Sequence, residues 1–586
     1  MNKPLNRRKM LFGYTGRVWK VFAAGLLFTA VAVFADLLGP YLIGIILDGE
    51  LIEGVGVKNP VRYVYLLALY GGAVLASGAL RFVAMYFFQN TANRISMLMQ
   101  EDLFARVQRF PVAYFDSLPA GKVVSRITTD TKDVRVLYQV VLAQLLNAGI
   151  YMLGVYGALL FLDRNLFLMA LAPLPVLAVV VWDYRKKSSR FNKAYREGIS
   201  ELNANLNENL QGMEIIQAFN REEDIYEEFD TVNTCIYTED MNIVKLESYS
   251  SFNITGTLQY LSIAAILFYF GYGSITGAYP VTIGLAYIFV DYMMKIFNQA
   301  QNAFQRLGEL ERANSAADNI VNMLNRETVT EGESEIQAKE ASVSFQAVDF
   351  AYVENEKVLT DISFDVKQGE TAAFVGHTGS GKSTIMNLLF RYYSPQKGRI
   401  AIGGEDMADK TLFTTRDSMA IVLQDPLLSS GTVLDNITLY DDSIPEARAR
   451  QALIEVGAES LLQNLPDGMH TKLNERGSSL SAGERQLISF ARALVRDPKI
   501  LVLDEATANI DSQTEHLIQE GMKVLAEGRT TLIIAHRLST IKHADRIIVL
   551  ENGRMKEQGT HEELIAQHGL YYDMYHAQSN GTKGVA

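Results

Sequence analysis

Cysteine is almost missing from this chain of 586 residues: the one copy, Cys235, excludes an intrachain disulfide framework and a cysteine-built metal site. An excess of basic residues is missing too. With 54 Lys+Arg against 66 Asp+Glu and a formal net charge of −12, a generic nucleic-acid-binding surface is excluded. Charged residues of both signs reach only 20%, while hydrophobic residues reach 48%. That balance excludes a disordered chain or a low-complexity fibre. No long-period internal repeat is visible. What remains is a chain whose mean hydropathy is +0.06 although it carries many charges, which points to two unlike parts, one apolar and one soluble. Its length allows two to four domains at roughly 150 residues each.

The apolar part lies first. Six stretches, Val21–Leu47, Val61–Phe88, Leu137–Leu162, Leu166–Trp182, Phe252–Tyr272 and Ile283–Phe304, approach or exceed the roughly 20 residues that a helix needs to cross a bilayer. Pro173 and Pro175 interrupt the fourth, which membrane helices tolerate when neighbours re-satisfy the backbone. Arg7, Arg8 and Lys9 followed by Ala30-Val31-Ala32 imitate a cleaved signal peptide, but the apolar run continues to Leu47, as an uncleaved first span does. Basic residues cluster in the N-terminal segment and in the two long connections, after the second and fourth stretches, while the short connections carry only Lys58 and Arg164. The positive-inside rule then places both termini and both long connections in the cytoplasm. Asn90–Phe110 and Arg185–Met241 have apolar residues at three- and four-residue spacing among helix formers, so the membrane helices are expected to run on into the cytoplasm. The expected division is a membrane domain over 1–325, a linker over 326–341, a soluble domain over 342–580 and a tail over 581–586.

The soluble part opens on a phosphate loop. Gly376, His377, Thr378, Gly379, Ser380, Gly381, Lys382, Ser383 and Thr384 follow the apolar strand Thr371–Val375 and precede a helical run, the context this pattern requires. The glycines let backbone N–H groups close around phosphate oxygens, and the helix turns its positive end to them. Lys382 would reach the β- and γ-phosphates of a nucleotide, and the Ser383 hydroxyl would hold Mg²⁺. A second anchor is Ile500-Leu501-Val502-Leu503-Asp504-Glu505. A continuous apolar run reads as a buried parallel strand, and its carboxyl end is where ligands bind. There Asp504 would complete the Mg²⁺ shell and Glu505 would orient the attacking water.

Further segments carry a family resemblance. Leu480-Ser481-Ala482-Gly483-Glu484-Arg485-Gln486 resembles the signature of ATP-binding cassette (ABC) proteins, with departures at Ala482 and Glu484. Gln424 resembles the Q-loop, Asp511 in Ala508-Asn-Ile-Asp the D-loop, His536 the H-loop and Tyr352 the adenine-stacking A-loop. All follow one another in the family's order. Tyr114-Phe-Asp116 with Gly121–Asp130, and Asn207–Phe219, are similar to its two cytoplasmic coupling regions. Essentially the whole chain resembles a half-size ABC exporter: a six-helix all-α transmembrane domain followed by an α/β P-loop ATPase domain.

The resemblance implies a bacterial, multi-pass protein of the cytoplasmic membrane that hydrolyses ATP to export amphipathic, drug-like or lipid-like compounds by alternating access. Gln424, Glu505 and His536 are its implied catalytic residues. Ser383, Gln424 and Asp504 are its Mg²⁺ ligands, and Ser481, Gly483 and Asp511 act across a dimer interface. Ala482 adds a methyl group and Glu484 a charge where a partner-bound γ-phosphate must approach a helix N-terminus. That pattern resembles heterodimeric exporters, whose other chain has an intact signature and has lost the catalytic Glu. A homodimeric lipid or peptide exporter and an ATP-gated channel or membrane regulator are the alternatives on the same fold. For the substrate, Asp36 and Asp291 stand out because intramembrane acids are expensive. An ionised Asp291 facing the cavity would favour cations, and an i,i+4 pair with Lys295 is the equally open structural alternative.

Overall fold

A computed structural model of the chain describes residues 5–49, 51–52, 56–118, 120–276, 282–329, 334–336, 340–353, 355–474, 477–504, 512–534 and 541–582. They form two compact units. One comprises Met1–Phe110 with Leu118–Glu327, the other Pro111–Ser117 with Thr328–Ala586.

In the first unit the first, second and sixth apolar stretches lie inside single helices, while the third, fourth and fifth begin in helical turns just before theirs. The helices are α1 (Trp19–Gly49), α2 (Pro60–Val107), α3 (Ala143–Leu162), α4 (Leu174–Gln211), α5 (Thr255–Thr276) and α6 (Ile283–Gln305). Among the described residues, five continuous helical stretches are long and apolar enough to cross a membrane. The sixth expected span, α6, has the length at 23 residues, but Asp291, Lys295, Asn298 and Gln299 dilute its hydropathy. With 48 residues, α2 extends about 72 Å at 1.5 Å per residue, far more than a bilayer's thickness, so the helix runs on well beyond its apolar stretch. The fourth stretch divides between a short helix, Arg164–Leu171, and α4. Pro173 and Pro175 stand at the break, since proline fits a helix start but interrupts a helix interior.

Small residues let α1 and α6 meet closely. A Cβ on Gly284 would collide with the Gly44 carbonyl oxygen, and the Gly284 N–H donates to Asp48 Oδ1 at 2.7 Å. Close approach of this kind replaces hydrophobic burial as the means of helix association in lipid. Rings tie α1 to α2, with Phe28 stacked on Phe87 at 5.5 Å and Phe22 edge-on to Phe88 at 5.8 Å.

In the second unit the strands are β1 (Val343–Ala351), β2 (Lys357–Val366), β3 (Thr371–Val375), β4 (Lys397–Ile402), β5 (Glu405–Asp406), β6 (Met419–Val422), β7 (Ile500–Asp504), β8 (Thr530–Ile534), β9 (Arg546–Glu551) and β10 (Arg554–Gly559). One sheet has the order β10-β9-β3-β8-β7-β6 and a second β2-β1-β4-β5, and the two-residue strands Gly431–Thr432 and Lys472–Leu473 pair as a small third. From β9 to β6 the six-stranded sheet is parallel. Both its faces are covered, which is why its strands are apolar throughout rather than alternating. Along β7, Leu501 and Leu503 enter one core with Ile533, Val549 and Leu487, while Ile500 and Val502 enter the other with Phe374, Ile534 and Leu388. The expected linker is partly docked: Ser334 bridges Lys410, and its carbonyl accepts from the Thr411 N–H at 2.8 Å.

Candidate functional site

Parallel strands share a direction, so the carboxyl ends of β6, β7, β8 and β3 lie along one edge of the sheet. Gln424 follows β6, Asp504 ends β7 and the glycine-rich loop follows β3. Residues distant in sequence are thereby gathered at one edge. Glu505, Asp511 and His536 lie outside the described residues.

The loop between β3 and α7 (Lys382–Leu389) needs its glycines for room. A Cβ on Gly376 would fall within 2.6 Å of Ser380 Oγ and collide with the Leu550 carbonyl oxygen. Gly381 holds φ +101°, a left-handed conformation, against the Leu359 side chain. Lys382 is buried, and its Nζ donates to the Gly376 carbonyl at 2.7 Å and the His377 carbonyl at 3.0 Å. The ammonium therefore lies back across its own loop, at a helix N-terminus. Ser380 Oγ is buried and makes no hydrogen bond among the described residues, whereas buried hydroxyls are normally satisfied. A cation, an orphaned hydroxyl and a backbone cradle too tight for side chains suit a polyphosphate. The exposed Ser383 hydroxyl, the exposed Gln424 and the half-buried Asp504 are oxygen donors of the hard kind that Mg²⁺ takes.

Tyr352, 45% exposed, is fixed from one side only. Its hydroxyl donates to Thr384 Oγ1 at 3.2 Å and accepts from Asn387 Nδ2 at 3.0 Å, and its ring stands edge-on to Phe350 and Tyr393 with centroids 4.8 and 4.9 Å away. An exposed ring pinned to α7 keeps one face open, the arrangement on which an aromatic base can stack. The Tyr393 hydroxyl in turn donates to Asp116. Burial and the Asp116 charge both push the Tyr393 phenol above its ordinary pKa, burial most. Neither Tyr393 nor Asn387 stood out in the sequence, where both are ordinary residues of a helical run and its end.

The helix α8 (Ala482–Val495) starts with a reciprocal cap. Ser481 Oγ accepts from the Glu484 N–H at 3.2 Å, and Glu484 Oε2 accepts from the Ser481 N–H at 2.7 Å. Ser-x-x-Glu is the pattern for this arrangement. Glu484 is therefore occupied at the helix N-terminus, and the cap uses the Ser481 hydroxyl only as an acceptor.

In the membrane unit, Asp36 of α1 and Asp291 of α6 belong to one cluster. Asp36 Oδ2 pairs with Arg81 Nη2 of α2 at 3.1 Å and Lys295 Nζ at 3.2 Å, and it also accepts from the Tyr151 hydroxyl of α3. Lys295 pairs with Asp291 at 3.3 Å and donates to the Asp36 carbonyl at 3.2 Å, and Tyr292 donates to the Leu37 carbonyl at 2.8 Å. Two acids and two bases balance, so neither carboxylate stands alone. The i,i+4 pair is present, and it is one link of a larger chain. Arg81 was passed over in the sequence, although a guanidinium deep inside the apolar run Val61–Phe88, unlike Arg62 at its edge, is a signal in itself.

Two family models match the chain, the ABC transporter transmembrane region over residues 22–301 and the ABC transporter model over residues 359–508. A Bacillus subtilis protein named "Probable multidrug resistance ABC transporter ATP-binding/permease protein YheH" is 44% identical over 524 residues, covering 89% of this chain and 78% of that one. The "Multidrug resistance-like ATP-binding protein MdlB" of Buchnera aphidicola is 33% identical over 499 residues, 85% of either chain. Among solved structures, a bacterial Atm1-family ABC exporter with ATP bound superposes with a TM-score of 0.82 at 24% identity, covering 96% of this chain and 98% of that one.

Proposed function

The chain belongs to the ABC transporter family, and on that premise we propose that it exports amphipathic, drug-like compounds as one half of a heterodimer. It is a multi-pass membrane protein whose ATPase domain couples nucleotide hydrolysis to transport. The proposal assigns Tyr352 to the adenine, the loop from Gly376 to Thr384 to the phosphates, and Ser383, Gln424 and Asp504 to Mg²⁺. The metal's charge would offset that of the phosphates. Glu505 would position the attacking water, with Gln424 and His536 beside it. Asp511, Ser481 and Gly483 would face the partner chain.

The observation that carries the heterodimer is the cap on α8. A signature helix has to offer its N-terminal N–H groups and its Ser hydroxyl to a phosphate held by the other chain. Here the cap takes up the Ser481 and Glu484 N–H groups, and a carboxylate lies where an anion must approach. The site completed by this signature works poorly, and efficient turnover requires a partner with an unaltered signature facing this chain's own acids. Such a partner can lose its catalytic Glu without loss of function.

The test is co-expression with candidate half-transporters and purification through a tag on this chain alone. Transport and ATPase are then measured in proteoliposomes with cationic, neutral and lipid-like compounds. A mixed pair whose substrate-stimulated ATPase vanishes with Lys382→Ala supports the proposal. A pair of identical chains with full transport refutes the heterodimer. A pair with ATPase but no transport of any compound refutes the exporter reading.

A further inference from the structure

The two intramembrane acids draw attention to cationic substrates, but the cavity beside them is walled by the opposite charge. A pocket of about 270 Å³ opens between α1, α2 and the start of α3, lined among others by Arg81, Met85, Phe88, Gln139, Gln144 and Asn147. Arg81 is its one ionisable residue; Asp36, Asp291 and Lys295 do not line it. Along α2 the lining residues Arg81, Ala84, Met85 and Phe88 recur at three- and four-residue spacing, so one face of the helix supplies both the cation and an apolar wall.

The charge chain runs Arg81, Asp36, Lys295, Asp291, alternating in sign, and its positive end is the one that meets the pocket. Asp36 and Tyr151 both take Arg81 through Nη2. The Nε and Nη1 groups make no hydrogen bond among the described residues, and the side chain is 52% exposed. A guanidinium held from one corner keeps its planar edge for a second anion, the geometry that suits a carboxylate or a phosphate. Around it, Gln144 accepts from Arg306 Nε at 2.7 Å, and Gln139 adds a second amide. Beside Arg81 on the same face of α2 lie Met85 and Phe88. In a low-dielectric setting an ammonium brought into this pocket would be repelled by Arg81, an uncharged head would gain little, and an anionic head would gain most.

Resting on the exporter reading, we infer that this pocket is a substrate site for amphiphiles carrying a single anionic head on an apolar body. Arg81 receives the head, Asp36 positions Arg81, and the Met85–Phe88 wall receives the start of the tail. The same chemistry is offered by a free amphiphilic carboxylate and by an anionic membrane lipid.

The test uses the assembled transporter, purified through this chain, in phosphatidylcholine liposomes. Three amphiphiles share one acyl chain and differ only in the head: a carboxylate, an uncharged amide and a primary amine, each below its micellar concentration. The inference expects the carboxylate to stimulate ATPase at a concentration at least tenfold lower than the amide, with the amine weakest. Gln139→Glu puts a negative charge into the pocket without touching the ion pairs. It should reduce the carboxylate-to-amide preference about tenfold, read as a ratio within the variant. Arg81→Gln combined with Asp36→Asn removes one charge of each sign and should abolish the preference while the amide still acts. In a second arm, stimulation by phosphatidylglycerol in the bilayer, without added amphiphile, identifies a lipid as the source, and stimulation by the carboxylate alone identifies a free compound. Equal stimulation by all three heads, or a preference unchanged in Gln139→Glu, overturns this inference and leaves the exporter reading standing. ATPase that responds to none of them, in a preparation that transports nothing, overturns both.

Discussion

Replacing Glu484 with Gln separates what this residue does for its own helix from what it does to a neighbouring phosphate. A glutamine keeps the acceptor for the Ser481 N–H, so the reciprocal cap at 2.7 and 3.2 Å survives. Only the negative charge at a helix N-terminus is lost, which at an exposed site is about 0.3–1 kcal/mol. For a domain of this size the corresponding fall in Tm is about 1–4 °C. On the other side, a carboxylate about 6 Å from a phosphate oxygen, at an effective dielectric of about 20, repels it by about 3 kcal/mol. Exposure and salt reduce that to about 1 kcal/mol, or about fivefold in affinity. Glu484→Gln is therefore expected to melt slightly earlier and to bind nucleotide about fivefold more tightly at the site this signature completes. The assay is a titration of the assembled transporter with a fluorescent ATP analogue, beside a nucleotide-free melt. Hydrolysis should change less than about twofold in a heterodimer whose other chain lacks the catalytic Glu, and rise several-fold in a homodimer. Unchanged or weaker nucleotide binding, with a Tm drop beyond about 8 °C, would show Glu484 to be a structural cap and refute the repulsion argument.

Asp36→Asn should be far more damaging than Asp291→Asn. Asp36 serves two cations and a tyrosine, and since these groups are only partly buried its loss costs less than the roughly 3–5 kcal/mol of a fully buried pair, whereas Lys295 keeps Asp36 at 3.2 Å when Asp291 is neutralised; melting and yield in detergent compare them. Glu505→Gln should leave ATP binding intact and cut hydrolysis by about 10²–10⁴-fold, with near-normal ATPase counting against its assignment. Tyr393→Phe deletes the bond to Asp116 and keeps the ring against Tyr352, so nucleotide affinity should hold within about twofold while substrate stimulation of ATPase falls. An equal loss of both would mean the hydroxyl merely supports the fold. Gly381→Ala, forced into φ +101° against Leu359, should abolish nucleotide binding, as measured by the same fluorescent titration.

The second unit was largely legible because its signals are local. Thr371–Val375 and Ile500–Asp504 are apolar without alternation since both faces of a parallel sheet are buried. The phosphate loop has its strand, glycines and helix within the nineteen consecutive residues Thr371–Leu389. Ser481 and Glu484 lie one helical turn apart, so the sequence contained their reciprocal cap, although Glu484 first reads only as an added charge. The apolar stretches likewise marked a multi-pass membrane domain, because the bilayer acts on composition and length rather than on contacts.

Tertiary structure alone decided the rest. Asp36 and Lys295 are 259 residues apart, and no period or propensity says which faces of α1, α2 and α6 meet. Packing of Gly44 against Gly284 brings those faces together, and their charges then pair. For the same reason Arg81, a basic residue deep in an apolar run, became the wall of a pocket only once α1 and the start of α3 closed around it. Tyr352 was recognisable in sequence, but its wiring through Tyr393 to Asp116 required Pro111–Ser117, from the first half of the chain, to join the second unit. Local backbone chemistry reaches only a few residues, whereas long-range pairing depends on which buried surfaces fit.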